Sequence, residues 1–287
     1  MDQRLNYNLP LPRDVNSILK EEFFMIEHVG ADLLKNITEP MKFSANTWIF
    51  VRSGKCRAAI SLVEHEISGP TFVSVPPSHI MIPRNFDEDF DAAFMVFSSQ
   101  FYHTLSMSLD NTGISELMVR HPVVKIPEGV EEEVENSLKH IRKVLNNSEN
   151  PYGTQAVMGE VMAMLYGSLY KCYDPYRGED TGKTGRMVAK FRTLAQSYYK
   201  TERGLEFYAS KIGVTPKYLS RTVKAQTGYT ATEWLERFVI LEAKVLLKST
   251  NMTIQQIAEE LNFQSQSLFG KYFKSNTGIS PREFRNS

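Results

Sequence analysis

The stretch Tyr218-Leu219-Ser220-Arg221-Thr222-Val223-Lys224, followed by Gly228, returns near the C-terminus as Leu268-Phe269-Gly270-Lys271-Tyr272-Phe273-Lys274, followed by Gly278. The register holds position by position. Leu219, Arg221, Val223, Lys224 and Gly228 find Phe269, Lys271, Phe273, Lys274 and Gly278 fifty positions on. Apolar positions stay apolar and basic positions stay basic, as on a helix that buries one face and exposes the other. Two similar readers in one chain point to a long, repetitive target such as double-stranded DNA.

Each copy is preceded by a shorter helical pattern, Leu205 to Ile212 and Thr253 to Leu261, and then by a turn at Gly213-Val214-Thr215 or Asn262-Phe263-Gln264. The order is helix, tight turn, helix. Ala209 and Ala258 are small enough to let the second helix cross closely, and Leu219 and Phe269 point into the shared core. Thr215 and Ser265 are the expected N-caps, with Pro216 at the first helical position. Gly228 and Gly278 suit the left-handed residue that ends a helix. A helix from Met187 to Tyr199 precedes the first unit. A long helix from Ala231 to Lys248 joins the two, with Phe238, Leu241, Val245 and Leu246 as its buried face.

The 287 residues suffice for roughly two domains at about 150 residues each. The formal net charge of zero hides a division between them. Up to Gly185 there are 17 Lys and Arg against 25 Asp and Glu; from Arg186 onward there are 16 against 8. The half that carries the repeat is basic and its companion acidic, as expected when only one half meets a polyanion. Cys56 and Cys172 are too few for a disulfide framework and lack metal-ligand spacing, so buried free thiols in a reducing compartment are expected. Met1 to Pro12 is polar, and no apolar run approaches the roughly 18 residues of a membrane span. A cytoplasmic protein with no membrane partner is expected.

The N-terminal half reads first as short strands: Trp48 to Arg52, Lys55 to Val63, Thr71 to Val75, Ile80 to Pro83 and Ala92 to Phe97. Turns fall at Ser53-Gly54, Ser68-Gly69-Pro70 and Pro76-Pro77. Cys56, Ala58, Ile60 and Leu62 alternate with Arg57, Ala59, Ser61 and Val63, the period of a strand that covers a core. Such a series predicts a small barrel or sandwich. From Glu128 the period changes to that of a helix, with Val130, Val134, Leu138, Ile141 and Leu145 on one stripe. A second helix, from about Thr154 to Cys172, carries Val157, Val161, Leu165 and Leu169. Two roles are open to these helices: they cover the barrel, or they form a dimer interface through Val134, Leu138, Ile141 and Leu145. Asp174 to Gly185, with Pro175, three glycines and five charges, reads as a linker.

The last hundred or so positions resemble the DNA-binding domain of AraC/XylS-type transcription regulators. The residues that carry the resemblance are Thr253-Ile254-Gln255-Gln256-Ile257-Ala258, Leu261-Asn262-Phe263, Ser267-Leu268-Phe269, Phe273-Lys274, Gly278 and Ser280-Pro281-Arg282-Glu283-Phe284-Arg285, in order and spacing. The N-terminal half resembles, in strand pattern and following helices, the cupin-like sensor regions attached to such domains. The resemblance implies an α+β chain with a cupin-like β-barrel and helical dimerisation segment in residues 1–173 (barrel about 37–98, helices about 128–172). A linker at 174–185 and an all-α DNA-binding domain at 186–287 follow, with helix-turn-helix units at about 205–227 and 253–277. It further implies a homodimer, an RNA polymerase partner and a small-molecule effector. Activation is expected because the family mostly activates.

In that family each second helix enters one of two successive major-groove segments roughly 34 Å apart. The positions that match its base-facing surface are Lys217, Ser220 and Arg221 in the first reader and Gln266, Ser267 and Lys271 in the second. Tyr218, Lys224 and Lys274 are expected on backbone phosphates. Arg221 suits a bidentate contact to guanine, and Gln266 a pair with adenine. The chain departs from the common pattern at Gly270-Lys271, where serine-arginine is usual, and at Asn262, where glycine is usual. Lysine lacks the rigid fork of arginine, so the second reader is expected to supply more affinity than specificity.

A ligand pocket in the barrel would be lined by Trp48, Phe50, Arg52 and Arg57, with an arginine clamping a carboxylate or phosphate. Core packing is the commoner fate of such aromatics. His28, His65, His79, His103, His121 and His140 are scattered singly, so no metal site is expected. With no glycine-rich phosphate loop and no nucleophile elbow, no catalytic residue and no cofactor are expected. A barrel that binds a protein instead of a small ligand, and a cupin-type enzyme fused to a DNA-binding module, are the rival readings.

Overall fold

The computed structural model describes residues 18–19, 22–34, 40–43, 45–77, 79–109, 114–177 and 182–287. The polar stretch Met1 to Pro12, the expected start of the barrel near residue 37 and residues 178–181 of the expected linker lie outside the described residues. The chain divides into two units, one formed mainly by residues up to Glu179 and one by Asp180–Ser287.

The N-terminal unit carries strands β1 (Ile18–Leu19), β2 (Phe23–Gly30), β3 (Met41–Lys42), β4 (Asn46–Ser53), β5 (Lys55–Ile60), β6 (Val63–Ser68), β7 (Thr71–Val75), β8 (Ile80–Arg84), β9 (Asp91–Phe97) and β10 (Val123–Lys125). They form two sheets, ordered β1-β2-β9-β4-β7-β10 and β3-β8-β5-β6. Between them run helices α1 (Ala31–Leu34), α2 (Ser99–Leu109) and α3 (Ile114–Arg120), and after them α4 (Val130–Leu145) and α5 (Gly153–Met164). A π-helical turn at Leu165–Leu169 and a last turn, α6 (Tyr170–Tyr173), continue α5.

The expected strand Lys55 to Val63 is two strands, because Ser61 and Leu62 both take positive φ, 46° and 73°, and turn the chain into a hairpin that pairs Ile60 with Val63. Two left-handed residues are what a two-residue hairpin requires, but Asn-Gly, not Ser-Leu, is its usual signature. The strand Phe23–Gly30, which lies between β1 and β9 in the first sheet, and the helices α2 and α3 are not among the elements that the sequence pattern predicts.

The core lies between the six-stranded sheet and the helices. Trp48 and Phe50 of β4, Phe23 and Met25 of β2, Met95 and Phe97 of β9 and Phe72 of β7 pack in one cluster with Val134, Leu138 and Ile141 of α4 and Val157 and Val161 of α5. Trp48 lies edge-on to Phe72 and Phe97, with centroids 5.6 and 4.8 Å apart. Val134, Leu138 and Ile141 are fully buried within this one chain and Leu145 is partly buried against the same cluster. The expectation that these four form a dimer interface is therefore corrected: their stripe is already covered by the sheet. Both cysteines are buried and free, and burial pushes each thiol up to about 12.

The C-terminal unit is helical: α7 (Gly182–Tyr198), α8 (Leu205–Ile212), α9 (Pro216–Thr227), α10 (Ala231–Ser249), α11 (Ile254–Glu260), α12 (Gln266–Thr277) and α13 (Pro281–Asn286). Helix α7 begins at Gly182, inside the stretch read as linker, and Asp174–Tyr176 forms a 3-10 turn. Helix α10 has the longest buried stripe of the unit, from Ala231 and Trp234 to Val245 and Leu247. No helix of the described residues is long and apolar enough to cross a membrane.

Candidate nucleic-acid interface

Each reader is built from local signals that the chain repeats. Thr215 accepts a hydrogen bond from the Tyr218 N–H at 3.2 Å and Ser265 one from the Leu268 N–H at 3.2 Å, so α9 and α12 start from the same N-cap geometry. Both end on left-handed glycines, Gly228 with φ 79° and Gly278 with φ 84°. The turns match as well. Gly213 (φ 85°) and Asn262 (φ 54°) are left-handed, and the following N–H returns to the alanine five positions back. Val214 donates to the Ala209 carbonyl at 3.0 Å, and Phe263 to that of Ala258 at 2.8 Å. This is the six-to-one bond of a Schellman ending, and asparagine is the side chain that tolerates the left-handed position best after glycine.

Ala209 and Ala258 are almost fully buried, and Leu219 and Phe269 have no exposure, so both first helices present a small residue to the interior of their unit. In the second reader Ile257, Ala258, Leu261, Phe269 and Phe273 form one cluster with Ile240, Ala243 and Leu247 of α10. Helix α10 thus serves as the wall on which the second reader is built.

With the inner faces occupied, the outer faces carry the polar and basic residues. Lys217, Tyr218, Arg221 and Lys224 are exposed on α9, and Ser220 is half-buried beside them. Gln266, Ser267, Lys271 and Lys274 are exposed on α12. The Arg221 guanidinium lies 5.8 Å from the centre of the Tyr218 ring, one helical turn away. Leu268, which the sequence reading passed over, is 47% exposed at the position equivalent to Tyr218. Its signal was the repeat itself, which puts an exposed apolar group at the same place in each reader. A Cβ at Gly270 would meet nothing within 4 Å, so no packing demand excludes a side chain there.

The four residues expected to line a pocket do not converge. Trp48 and Phe50 belong to the sheet–helix core. Arg52, on the same face of β4, reaches Glu135 of α4 (Nε to Oε1, 2.5 Å) and Asp91 (Nη1 to Oδ2, 3.1 Å). Burial works to lower its pKa, and the two carboxylates outweigh that and leave it raised. Arg57 is exposed on the other sheet and meets Glu66 at 2.9 Å across the β5–β6 pair. Trp48 and Phe50 thus pack in the core, Arg52 ties sheet to helix, and Arg57 lies apart from them at the surface. No group of three His, Cys, Asp or Glu able to hold a metal occurs among the described residues.

Comparison with known proteins agrees with this geometry. Residues 208–287 match the family model described as "Helix-turn-helix domain". The chain is 23% identical over 154 residues to the HTH-type transcriptional activator RhaR of Salmonella dublin, covering 52% of this chain and 55% of that protein. It is 36% identical over 77 residues to the arabinose operon regulatory protein of Escherichia coli (strain K12), covering 27% of each. The chain thus spans about half, or less, of the length of these curated relatives. Among solved structures, ToxT from Vibrio cholerae aligns over 92% of this chain and 98% of that chain, with 16% identity and a TM-score of 0.45. With the repeated caps, the buried crossing and the family match together, the C-terminal segment of this chain is an AraC-type helix-turn-helix domain.

Proposed function

We propose that the protein is a sequence-specific, double-headed DNA-binding transcription regulator, acting in the cytoplasm as a homodimer and controlled through its N-terminal unit. The observation that carries this reading is the pair of readers with matched caps, matched turns and exposed basic outer faces. Lys217, Ser220 and Arg221, and Gln266, Ser267 and Lys271, meet base edges. Tyr218, Lys224 and Lys274 meet phosphates. Activation of transcription through RNA polymerase is the expected sign of regulation, in line with the named activity of RhaR. The chemistry is recognition, and the relatives are named as regulators. The test is fluorescence anisotropy of the full-length protein on the duplex upstream of its own gene and on unrelated DNA, across a salt series. Selective binding with a steep salt slope supports the reading. Equal, weak binding to every duplex and to an in vitro-selected pool overturns it.

The proposed effector is a small molecule, and its place is the core between the six-stranded sheet and α4–α5. There the Trp48 indole N–H and the Tyr173 hydroxyl are buried without a hydrogen-bond partner among the described residues, a costly arrangement that a polar ligand atom relieves. A ligand regulates only through different affinities for the DNA-competent and incompetent arrangements. A compound that stabilises the protein against heat and also changes its DNA affinity is the effector. The second reading, an N-terminal unit that binds a protein and no small ligand, is favoured by the dense aromatic packing around Trp48 and Phe50.

A further inference from the structure

The long helix α10 is covalently continuous with both readers, yet a helix alone fixes only the ends of a rod. Covalent continuity alone leaves rotation about the junction at Thr250 to Met252, and the packing of Ile240, Ala243 and Leu247 against the second reader is the first restraint on it. A second restraint, the one that also reaches the first reader, lies in the connection Tyr199–Gly204 that runs from α7 into that reader. Lys200 reaches two carboxylates on different elements: Glu242 of α10 at 3.4 Å and Glu260 of α11 at 2.5 Å. The Glu242 side chain is only 1% exposed, so its ion pair is shielded from water. Three residues on, Arg203 donates from Nη2 to the carbonyl of Leu261, the C-cap of α11. Its guanidinium also lies 3.9 Å from the centre of the Phe263 ring, inside the turn of the second reader.

The same connection is anchored to the first reader. The Tyr208 hydroxyl of α8 donates to the Glu202 carbonyl at 2.6 Å. Tyr199 is buried and stacks on Phe238 of α10 with centroids 5.6 Å apart. One short segment thus holds the first reader through Tyr208, the joining helix through Phe238 and Glu242, and the second reader through Glu260, Leu261 and Phe263.

We infer that Lys200 and Arg203 are positioning residues that lock the second helix-turn-helix unit to the first and so set the one half-site spacing the protein accepts. They touch no DNA themselves. A cation at the C-terminal carbonyls of α11 meets the negative end of that helix, and a planar guanidinium on Phe263 fixes rotation as well as distance. The inference rests on the DNA-binding reading for its consequence, and on the geometry of the C-terminal unit for the lock itself.

The test separates the two. Cysteines placed at the exposed positions Ala225 and Ser275, fifty residues apart in the repeat, carry spin labels in the full chain, the buried native thiols being poorly reactive. Without DNA, the distance distribution between them is narrow in the parent and broad in Lys200→Ala/Arg203→Ala, while Arg203→Lys, which keeps the charge and loses the plane, is intermediate. An equally narrow distribution in the double variant overturns the lock, whatever the protein does with DNA. In selection from a random duplex pool, the parent enriches paired half-sites at one spacing, and the double variant enriches the same half-sites at several. Retention of a single spacing by the double variant overturns the assignment to spacing. Broadening together with no enriched DNA from the parent removes the DNA-binding reading and leaves the lock standing. Loss of the half-sites themselves would mark Lys200 and Arg203 as merely structural and overturn the positioning role.

Discussion

Arg221 and Lys271 occupy equivalent exposed positions on the two second helices, and the difference between their head groups predicts a division of labour. A guanidinium can grip O6 and N7 of one guanine, whereas an ammonium acts as a point charge. Arg221→Ala is expected to weaken binding to a matched site by about 1 to 3 kcal/mol and to relax one base position. Lys271→Ala is expected to weaken binding with a smaller loss of preference at its base position than Arg221→Ala shows. Anisotropy on a panel of single-base variants reads both, and a uniform loss for Arg221→Ala would reassign it to phosphate. Asn262 carries a prediction of a different kind. Its φ of 54° is left-handed, so Asn262→Ala should cost about 1 kcal/mol in urea unfolding, whereas Asn262→Gly should cost nothing or stabilise. Equal destabilisation by both would show that the amide, not the backbone, is what matters there.

Among the elements, the helix starts are set by capping. Thr230 with Glu233 and Ser280 with Glu283 form reciprocal boxes, and the hydrogen bonds from the Thr230 and Ser280 backbones hold each carboxyl below its usual range. A carboxylate whose folded pKa is depressed stabilises above its unfolded value and loses that contribution as pH falls through the folded one. The stability gap between parent and Glu283→Gln should therefore be full at neutral pH and close as pH falls below the ordinary glutamate value of about 4.3. A gap that stays constant in urea midpoints over that window would detach the box from ionisation. Leu138→Ala should destabilise the N-terminal unit by about 2 to 5 kcal/mol, independently of protein concentration, because the side chain is buried against the sheet of its own chain. A loss that vanishes at high concentration would restore α4 to a dimer interface. These caps explain why the readers were legible in the sequence: Thr215 and Gly228, with their counterparts Ser265 and Gly278, act within one turn of the chain, as does Pro216 in the first reader. The strand Phe23–Gly30 was not legible, since its opening run of Phe23, Phe24 and Met25 is buried on both faces and so does not alternate. The Ser61–Leu62 hairpin was hidden for the opposite reason, a left-handed turn enforced by pairing that its residues do not announce. The role of Trp48 and Phe50 was not legible, because strand alternation tells which residues share a face but not whether that face meets a cavity or a helix.

At the scale of the whole molecule, the two halves of the chain carry opposite charge, and a net charge of zero hides how strongly one of them must attract DNA. Attraction through released counterions scales with the number of phosphates neutralised, at a slope of about −0.9 per contact in a plot of log affinity against log salt. If Lys224 and Lys274 each neutralise one phosphate, replacing either by alanine should reduce the magnitude of that slope by about 1, and replacing both by about 2, with little change in the sequence preferred. Arg57→Ala removes one positive charge from the acidic half, where the guanidinium is paired with Glu66, and should leave the slope unaltered. The comparison distinguishes contact from bulk field. If slope followed net charge, all three single substitutions would move it equally, and the assignment of Lys224 and Lys274 to the phosphates would fall. If only the two reader lysines move it, the basic faces of α9 and α12 are where the duplex lies.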